Sequence, residues 1–396
     1  MLCGHNIICF APNDWWGMNP SCTTHIMRGL AERNRVLWIN PFSSDLSAGG
    51  RGGSRRGLGV RIRRKLGSLA RYLRRPHDRI HVFSPLFVPI QGRRAIDVLN
   101  NVFLRLQIKV VCTCLGFRKP IVWYENVRAA DLMDGFSPLT TVYHVSDLFA
   151  VDSYTSSSQR QKEREAAVSA NSRLLICVSR ELYEQKKREH QNVHYVPHGV
   201  DFDLFRNAAE DPRVPAEIAG IPRPIVGYYG TMTGHNDIEM MDYCAENLPH
   251  VSFVFAGQIT AGDYTRLGAR KNVFLIGRVP YERIPHLCAS FDVCMLQWRM
   301  SEWIRKCNPL KMLEYMASGR PIVSVQIAEA MRYSDVISIA DDKETFCKAI
   351  EWELKNDTAE RREKRIEIAS QHSWAKHVDH VSSLIQETIH DERSVP

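Results

Sequence analysis

The chain has 396 residues, of which 44% are hydrophobic and 24% charged, and its net charge is +8. These proportions are typical of globular proteins, so a disordered or fibrous chain is excluded, and the length favours two to three domains. Segment 51–75 holds ten basic and no acidic residues, which leaves a net charge of −2 for all other residues. An anionic partner is therefore expected at this segment alone.

Eleven cysteines are scattered along the chain without a C-x-x-C pair or a zinc-binding histidine pattern. This usage favours a reducing cytosol, in which thiols serve as small core residues. The N-terminus lacks the charged and apolar regions of a signal peptide, and no stretch reaches about 18 uninterrupted apolar residues. We therefore expect a cytoplasmic protein that does not span a membrane.

Short runs rich in β-branched residues alternate with longer segments of helical periodicity from the N-terminus onward. This alternation predicts βαβ units around buried parallel sheets. The first series of predicted strands covers 6–11, 36–40, 79–83, 121–124, 140–145, 174–178 and 193–196. The second series covers 225–229, 251–256, 273–276, 291–296, 321–325 and 336–339.

The two series predict an α/β chain with two Rossmann-like, doubly wound parallel-sheet domains that face a central cleft. We expect an N-terminal domain over 1–206 and a C-terminal domain over 225–372, joined by a linker over 207–224 that contains four prolines. An amphipathic terminal helix over 373–396 is expected to cross back to the N-terminal domain. Ligands of such sheets bind beyond the carboxyl ends of the strands, so the functional residues are expected there.

The segment from Asn308 to Pro321 has the features of a helix that binds an anion at its N-terminus. Asn308 is a good N-cap, and Pro309 suits the first helical position. Arg305, Lys306 and Lys311 flank that end of the helix, where they would reinforce the helix dipole toward a diphosphate. Glu314 lies about one and a half turns into the helix, where its carboxylate could accept hydrogen bonds from the hydroxyls of a ribose. The alternative is a capped amphipathic helix with a solvated glutamate.

The run Pro309-Leu310-Lys311, followed by Glu314, Ala317, Gly319 and Pro321, resembles the donor-binding segment of GT-B glycosyltransferases of the family 4-like group. Four further pieces agree in order: the segments 196–201, 228–231, 255–257 and 272–277. The resemblance implies a GT-B fold whose second domain binds a nucleotide diphosphate sugar, with Glu314 on the ribose. It also implies that the first domain binds the acceptor.

Two departures from the family pattern point to a subgroup. Retaining members have an acid at the position of Lys306, and an Arg and a Lys near Thr231 and Asn236. The chain is closer to bacterial exopolysaccharide and teichuronic-acid-type transferases and to the inverting xanthan glucuronosyltransferase. That resemblance implies that Gly230, Met232 and Lys306 contact the nucleotide sugar, and a cation at Lys306 would suit UDP-glucuronate.

An inverting transferase needs one base to take the proton of the attacking acceptor hydroxyl. Asp147 follows a predicted strand and belongs to a Y-x-x-S-D element that resembles the one carrying the catalytic carboxylate in the inverting subgroup. We predict Asp147 as the base, with His144 and Asp152 as alternatives, whereas a purely structural Asp147 would cap the following turn. Glu125 ends the preceding strand and could line the acceptor pocket.

The loop after the first strand contains Trp15 and Trp16, which could stack on a sugar face or pack in the core. This loop has no G-x-G-x-x-G pattern, so the dinucleotide-binding fingerprint is absent.

Segment 51–75 is the basic part of a predicted amphipathic insertion over 51–110. Its leucines and Ile62 recur every three to four residues between positions 58 and 73, which predicts a helix lying on an anionic membrane surface. Residues 96–111 form a second candidate helix of this kind. A solvated loop and an RNA-binding segment are the alternatives, and we expect no nucleic acid because aromatic residues are nearly absent here.

These features predict a glycosyltransferase that moves a sugar from a nucleotide diphosphate sugar to a lipid-linked saccharide acceptor in bacterial surface polysaccharide synthesis. We expect it to be peripheral on the inner face of the plasma membrane and independent of metal ions and cofactors. The alternatives are a nucleotide-sugar 2-epimerase of the same fold and a non-catalytic GT-B-like binding protein.

Overall fold

Two separate sheets organise the computed structural model, which describes residues 1–16, 19–42, 72–88, 94–147, 159–211 and 213–394. One unit comprises Met1–Val196 with His377–Pro396, and the other comprises Pro197–Lys376. The strands are β1 (Asn6–Phe10), β2 (Arg35–Ile39), β3 (Leu73–His77), β4 (Ile80–Phe83), β5 (Ile121–Tyr124), β6 (Thr140–Val145), β7 (Leu174–Cys177), β8 (Val193–Tyr195), β9 (Ile225–Tyr229), β10 (Ser252–Ala256), β11 (Val273–Gly277), β12 (Val293–Leu296), β13 (Ile322–Val325) and β14 (Ser338–Ala340). The helices are α1 (Cys22–Ala31), α2 (Arg94–Leu115), α3 (Gln159–Asn171), α4 (Arg180–Lys186), α5 (Phe202–Glu210), α6 (Ile238–Asn247), α7 (Thr265–Gly268), α8 (Ile284–Ala289), α9 (Glu302–Lys306), α10 (Leu310–Ala317), α11 (Ala328–Met331), α12 (Lys343–Asn356), α13 (Ala359–Gln371) and α14 (Trp374–Ser394), with 3-10 helices at Val127–Gly135 and Tyr281–Arg283.

The first unit has an eight-stranded sheet in the order β3-β4-β2-β1-β5-β6-β7-β8. All neighbouring strands are parallel except β3, which runs antiparallel to β4 at the edge. Every residue of β5, β6 and β7 is buried. Burial on both faces explains why these strands are continuously apolar and do not alternate with polar residues.

The second unit has a six-stranded parallel sheet in the order β11-β10-β9-β12-β13-β14. Both sheets are doubly wound, and the thirteen strands expected from the sequence are all present with small shifts at their ends. Nine of the eleven cysteines are buried, as expected for thiols that serve as core residues.

Strand β3 contradicts one part of the predicted amphipathic insertion, the end of its basic helix. The helical pattern in the basic segment extends to Leu73, but Leu73, Arg74 and Arg75 lie in an edge strand that is hydrogen-bonded to β4. Pro76 is compatible with this strand because an edge strand can present a residue without an N–H to solvent. Residues 51–71, which hold the rest of the predicted membrane-binding segment, lie outside the described residues.

Two other boundaries differ from those of the predicted domains, and one agrees. The division between the units falls after Val196, ten residues before the expected end of the first domain at 206. Helix α5 continues to Glu210 and so occupies the start of the expected linker 207–224. Helix α14 matches the predicted terminal helix, and its residues from His377 onward are part of the first unit.

Helix α2 contains the second candidate for a membrane-binding helix. Among the described residues it is the one helix whose length and composition would allow it to cross a membrane, with a mean hydropathy of 1.4 over its best window in Ala95–Leu115. Its apolar residues are interrupted by Arg105 and Lys109, which is why the search for an uninterrupted run predicts no span.

Candidate functional site

The strand order of the second sheet reverses between β9 and β12, which is where open α/β sheets bind ligands. Gly230 follows β9 directly, and helices α9 and α10 follow β12. The loop after β9 is hydrogen-bonded to the loop after β12, since Asp237 N–H donates to the Gln297 carbonyl at 2.9 Å. The sequence therefore brings the predicted donor-binding residues of both segments to one edge of one sheet.

The carboxylate of Glu314 is the acidic group of this site. The Tyr229 hydroxyl at the end of β9 donates a hydrogen bond to Glu314 Oε2 at 2.7 Å, and the Tyr229 ring packs edge-on against Tyr315 at 5.2 Å. Burial raises the pKa of Glu314, and the Tyr229 hydrogen bond and the Lys311 charge counteract that rise. Burial also raises the pKa of Tyr229, so its hydroxyl stays protonated and donates. One oxygen of a fixed carboxylate therefore remains for other hydroxyl donors.

Lys311 is the cationic group of the site. Its ammonium lies 5.5 Å from the centre of the Tyr228 ring and 5.7 Å from that of Trp298. Its side chain also covers Gly230, where a Cβ atom would lie 2.4 Å from Lys311 Cε. Gly230 has φ +131°, a conformation that favours glycine, so this position needs glycine both for its backbone and for its neighbour.

The donor helix α10 begins one residue later than expected. Pro309 is its N-cap with no side-chain cap bond, and Leu310 is its first residue, so the prediction that Asn308 caps the helix is wrong. The reason is the extended conformation of Pro309, whose ψ is 116°. Asn308 and Pro309 are buried, whereas Leu310 and Lys311 are partly exposed. The positive end of the helix dipole still lies at Lys311.

The remaining predicted donor contacts differ in their surroundings. Lys306 forms an ion pair with Glu302 of the same short helix, at 2.9 Å, and Arg305 is exposed. Met232 is fully buried in the hydrophobic core, and its N–H and carbonyl are bonded to Gln258 and Thr260. The donor contact that the family pattern suggests for Met232 stays a prediction, and in this fold its side chain packs in the core of the second unit.

A second cluster lies at the carboxyl edge of the first sheet, where the strand order reverses between β1 and β5. Its centre is Glu125, which follows β5 and is 3% exposed. The Ser146 hydroxyl donates to Glu125 Oε1 at 2.6 Å, and the Thr23 hydroxyl donates to Oε2. His144 Nδ1 lies 3.4 Å from the same Oε2. One buried carboxylate thus connects α1 to the ends of β5 and β6.

The structure separates the two predicted catalytic residues of this unit. Asp147 is half-buried and directly follows Ser146, next to the Glu125 cluster. His144 is fully buried, with its ring 5.2 Å from that of Trp123, so it contacts Glu125 from within the protein. The other alternative, Asp152, lies outside the described residues.

The contacts of Trp15, in the loop after β1, favour a role in packing over stacking on a sugar. The Trp15 ring packs edge-on against Trp38 at 5.1 Å, and the Arg28 guanidinium lies 5.4 Å from its centre. Its backbone N–H donates to Asn40 Oδ1 at 2.9 Å. The ring and the backbone of Trp15 are therefore both in contact with neighbouring residues of the first unit.

A cavity of about 240 Å³ lies near the opposite edge of the second sheet, beside Pro224, Asp292 and Pro321, which precede β9, β12 and β13. Its lining includes none of the residues predicted to bind the donor. Within the described part of the chain, no group of three or more His, Cys, Asp or Glu residues has a metal-binding arrangement.

Sequence comparison finds similarity to known glycosyltransferases in the part of the chain that contains this site. Residues 223–356, which include Gly230 and Glu314, match the family model described as glycosyl transferases group 1. The chain is also 25% identical over 222 residues to TuaH of Bacillus subtilis (strain 168), a protein assigned to teichuronic acid biosynthesis as a glycosyltransferase. That similarity covers 52% of this chain and 55% of TuaH.

Solved structures show the same fold over nearly the whole chain. HepE of Anabaena in complex with UDP-glucose has a TM-score of 0.66 at 15% identity, covering 96% of this chain and 99% of HepE. The UDP-forming α,α-trehalose-phosphate synthase of Burkholderia xenovorans in complex with glucose-6-phosphate has a TM-score of 0.68 at 12% identity, covering 97% of this chain and 100% of the synthase.

The chain thus has the GT-B fold, with two Rossmann-like α/β units. The resemblance to GT-B glycosyltransferases of the teichuronic-acid type, predicted from the sequence, is confirmed by the family match and by the similarity to TuaH.

Proposed function

We propose that the chain is a glycosyltransferase that moves a sugar from a UDP-sugar to a saccharide acceptor. The observation that carries the proposal is the pair of Glu314 and Lys311, held on one helix at the strand-order reversal of the second sheet. A carboxylate of this kind suits the two hydroxyls of a ribose, and a cation at a helix N-terminus suits a diphosphate. HepE, which has the same fold, binds UDP-glucose.

The same residues give the departing UDP its stabilisation. As the bond between the sugar carbon and the diphosphate breaks, negative charge grows on the diphosphate. The Lys311 ammonium and the positive end of α10 are fixed before the reaction, so they stabilise that charge without reorganisation. We therefore propose a reaction that requires no divalent ion, and a donor that serves as substrate with no further cofactor.

Asp147 is the proposed base on the acceptor side. The acceptor hydroxyl oxygen attacks the anomeric carbon in a single displacement with inversion, UDP leaves, and the hydroxyl proton passes to the Asp147 carboxylate. Glu125 supports this role as a positioning residue, because it holds Ser146, the neighbour of Asp147, at 2.6 Å. His144 is fully buried beside Glu125, whereas Asp147 is half-buried, and this difference in exposure favours Asp147 as the base.

Lys306 bears on the choice of donor sugar. A donor carboxylate such as that of UDP-glucuronate would have to replace Glu302 as the partner of Lys306. We therefore expect Glu302→Gln to lower the KM for UDP-glucuronate about threefold and to leave the KM for UDP-glucose unchanged. Lys306→Glu is expected to raise the KM for UDP-glucuronate relative to the KM for UDP-glucose. Equal effects on both donors would contradict a carboxylate-binding role for Lys306.

The proposed acceptor is a lipid-linked saccharide at the inner face of the plasma membrane, in the synthesis of a bacterial surface polysaccharide. The similarity to TuaH supports this choice, as does the basic segment 51–75, which is suited to an anionic lipid surface. Such a location would bring the acceptor domain to its substrate without a membrane span.

Incubation with a panel of labelled nucleotide sugars and a bacterial lipid extract tests the proposal. We expect label to move from one UDP-sugar to lipid, and Asp147→Asn to reduce kcat by at least about a hundredfold while leaving UDP affinity unchanged. The conservative variant Asp152→Asn, at the alternative acid, serves as the matched control. Label that is epimerised or hydrolysed without an acceptor would identify an epimerase, and no reaction with any donor would indicate a binding protein; either result contradicts the proposal.

A further inference from the structure

Helix α2 carries an apolar face that the rest of the described chain leaves uncovered. Six large apolar side chains on it are between 41% and 60% exposed. They are Val98, Leu99, Val102, Phe103, Leu106 and Val110. Their spacing of three to four residues places them on one side of the helix, so they form a continuous stripe about three turns long.

The stripe continues onto the segment that follows β4. Leu86 and Val88 are 37% and 40% exposed, and both are hydrogen-bonded to side chains of α2. Gln107 bonds both the N–H and the carbonyl of Leu86, and Asn100 does the same for Val88, at 2.8–2.9 Å. The patch therefore holds eight of the fourteen exposed large apolar side chains in the described residues. A concentration of this kind marks an interaction surface.

The opposite side of α2 is fixed to the first unit. Leu104, Ile108 and Val111 are buried, and Arg105 donates to the Asp131 carbonyl at 2.6 Å. A helix held along its length by one face lies on the protein surface. The composition of α2 would allow a span, but a helix packed in this way and exposed along its other face has the arrangement of one that lies in a membrane interface.

Basic residues surround this patch and indicate the kind of partner. Tyr72, whose hydroxyl lies 3.5 Å from Gln107, brings the end of the basic segment 51–75 beside α2. Lys109 lies on α2 itself, and Arg118 and Lys119, both exposed, follow its C-terminal end. Cations beside an apolar stripe match a leaflet with anionic head groups. A second copy of the chain would instead bring these like charges together.

We propose that the exposed face of α2, with Leu86 and Val88, docks the protein on an anionic lipid leaflet. The inference rests on the proposed function, because it names the surface from which a lipid-linked acceptor would be reached. It moves the primary contact from segment 51–75, where the charge pattern placed it, to the described face of α2.

Vesicle flotation of the full chain tests the proposal. The wild-type protein is expected to float with vesicles of phosphatidylglycerol and phosphatidylcholine, and to bind less to phosphatidylcholine alone or at high salt. The double variant Leu99→Ser and Leu106→Ser is expected to weaken binding about tenfold or more, because each side chain loses the apolar area it would bury. The matched control is Val214→Ser with Met331→Ser, two exposed apolar residues away from α2, which should bind like the wild type.

Two further measurements distinguish a failure of the proposed docking surface from a failure of the proposed function. UDP binding by calorimetry should be the same in both double variants, which shows that they are folded and tests the proposed function independently. Equal flotation of the α2 variant and the wild type would overturn the docking surface, as would a wild type that binds no anionic vesicle. A wild type that self-associates in solution, and whose α2 variant becomes monomeric, would show that a second copy covers this face and would also overturn it.

Discussion

At the proposed donor site, a tyrosine and a glutamate that are 85 positions apart in sequence are joined by a hydrogen bond. The Tyr229 hydroxyl fixes one oxygen of Glu314 at 2.7 Å and leaves the other for a ligand. Tyr229 is buried and has no other evident reason to be a tyrosine and not a phenylalanine at the end of β9. We infer that its hydroxyl positions Glu314 and lowers the pKa of that carboxyl, against the effect of burial.

The variant Tyr229→Phe tests this role through the pH dependence of donor binding. Burial raises the pKa of Glu314, and the Tyr229 hydrogen bond lowers it, so loss of the hydroxyl raises the pKa further. Ribose hydroxyls need the carboxylate form as acceptor. We expect the donor KM to rise about tenfold near neutral pH, and its increase at acid pH to begin at a higher pH than in the wild type.

Tyr315→Phe is the matched control, because Tyr315 packs against Tyr229 and its hydroxyl is not bonded to the Glu314 carboxylate. An unchanged acid limb in Tyr229→Phe would refute the positioning role, whatever the size of the KM effect.

Gly230 offers a second test at the residue scale. A Cβ atom at this position would lie 2.4 Å from Lys311 Cε and 2.9 Å from its Nζ, so Lys311 would have to move. We expect Gly230→Ala to weaken UDP binding about tenfold and to lower the free energy of unfolding by about 1–3 kcal/mol, since φ is +131°. Gly220→Ala, where no atom lies within 4 Å of the new Cβ, should change neither quantity. Denaturant titration and calorimetry measure both.

At the scale of elements, the first helix and the first sheet are joined through a polar network. Helix α1 begins with a capping box of Ser21 and Thr24, and Thr23 in the same turn donates to Glu125. Because Glu125 also accepts from Ser146, the position of α1 is coupled to that of the Asp147 loop. A buried carboxylate with hydroxyl and imidazole partners loses much of its stabilisation when one of them is removed.

Thr23→Val keeps the shape of the side chain and removes its hydroxyl. We expect the free energy of unfolding to fall by about 1–3 kcal/mol, because Glu125 keeps its burial and loses a donor. Combined with Ser146→Ala, the loss should exceed the sum of the single losses if the two hydroxyls share the carboxylate. Thr113→Val on α2, whose exposed hydroxyl bonds only its own helix, is the control and should cost little. Strict additivity of Thr23→Val and Ser146→Ala would contradict the network.

Helix and strand boundaries show what local sequence could and could not predict. Apolar runs located thirteen strands, because strands buried on both faces have a composition that turns and helices do not share. The edge strand β3 was missed because its residues continue a helical spacing of leucines, and pairing with β4 overrides that local pattern. The start of α10 was one residue off, since the conformation of Pro309 is set by its surroundings.

At the scale of the whole chain, sequence motifs located Gly230, Lys311 and Glu314, which the fold brings together in the second unit. They could not indicate that Tyr229 holds Glu314 or that Thr23 holds Glu125, because these contacts join residues 85 and 102 positions apart. The sequence also could not indicate that the side chain of Met232, predicted as a donor contact, is fully buried in the core.

The division into two units also shows that the basic segment and the proposed donor residues belong to different parts of the chain. The last residues of the basic segment, from Tyr72 onward, lie beside α2 in the first unit. The proposed donor-binding residues belong to the second unit. Lipid docking and donor binding are therefore expected to respond to different variants, which allows each to be tested without the other.

Calorimetric titration of UDP into the wild type and Glu314→Gln tests the central claim, that Glu314 and Lys311 form a nucleotide-sugar site. The account predicts saturable binding of one UDP to the wild type and an affinity at least about tenfold lower for Glu314→Gln, because the neutral amide accepts hydrogen bonds from ribose hydroxyls less strongly than the carboxylate. Equal affinity of the two proteins for UDP, or no binding by the wild type, would contradict it.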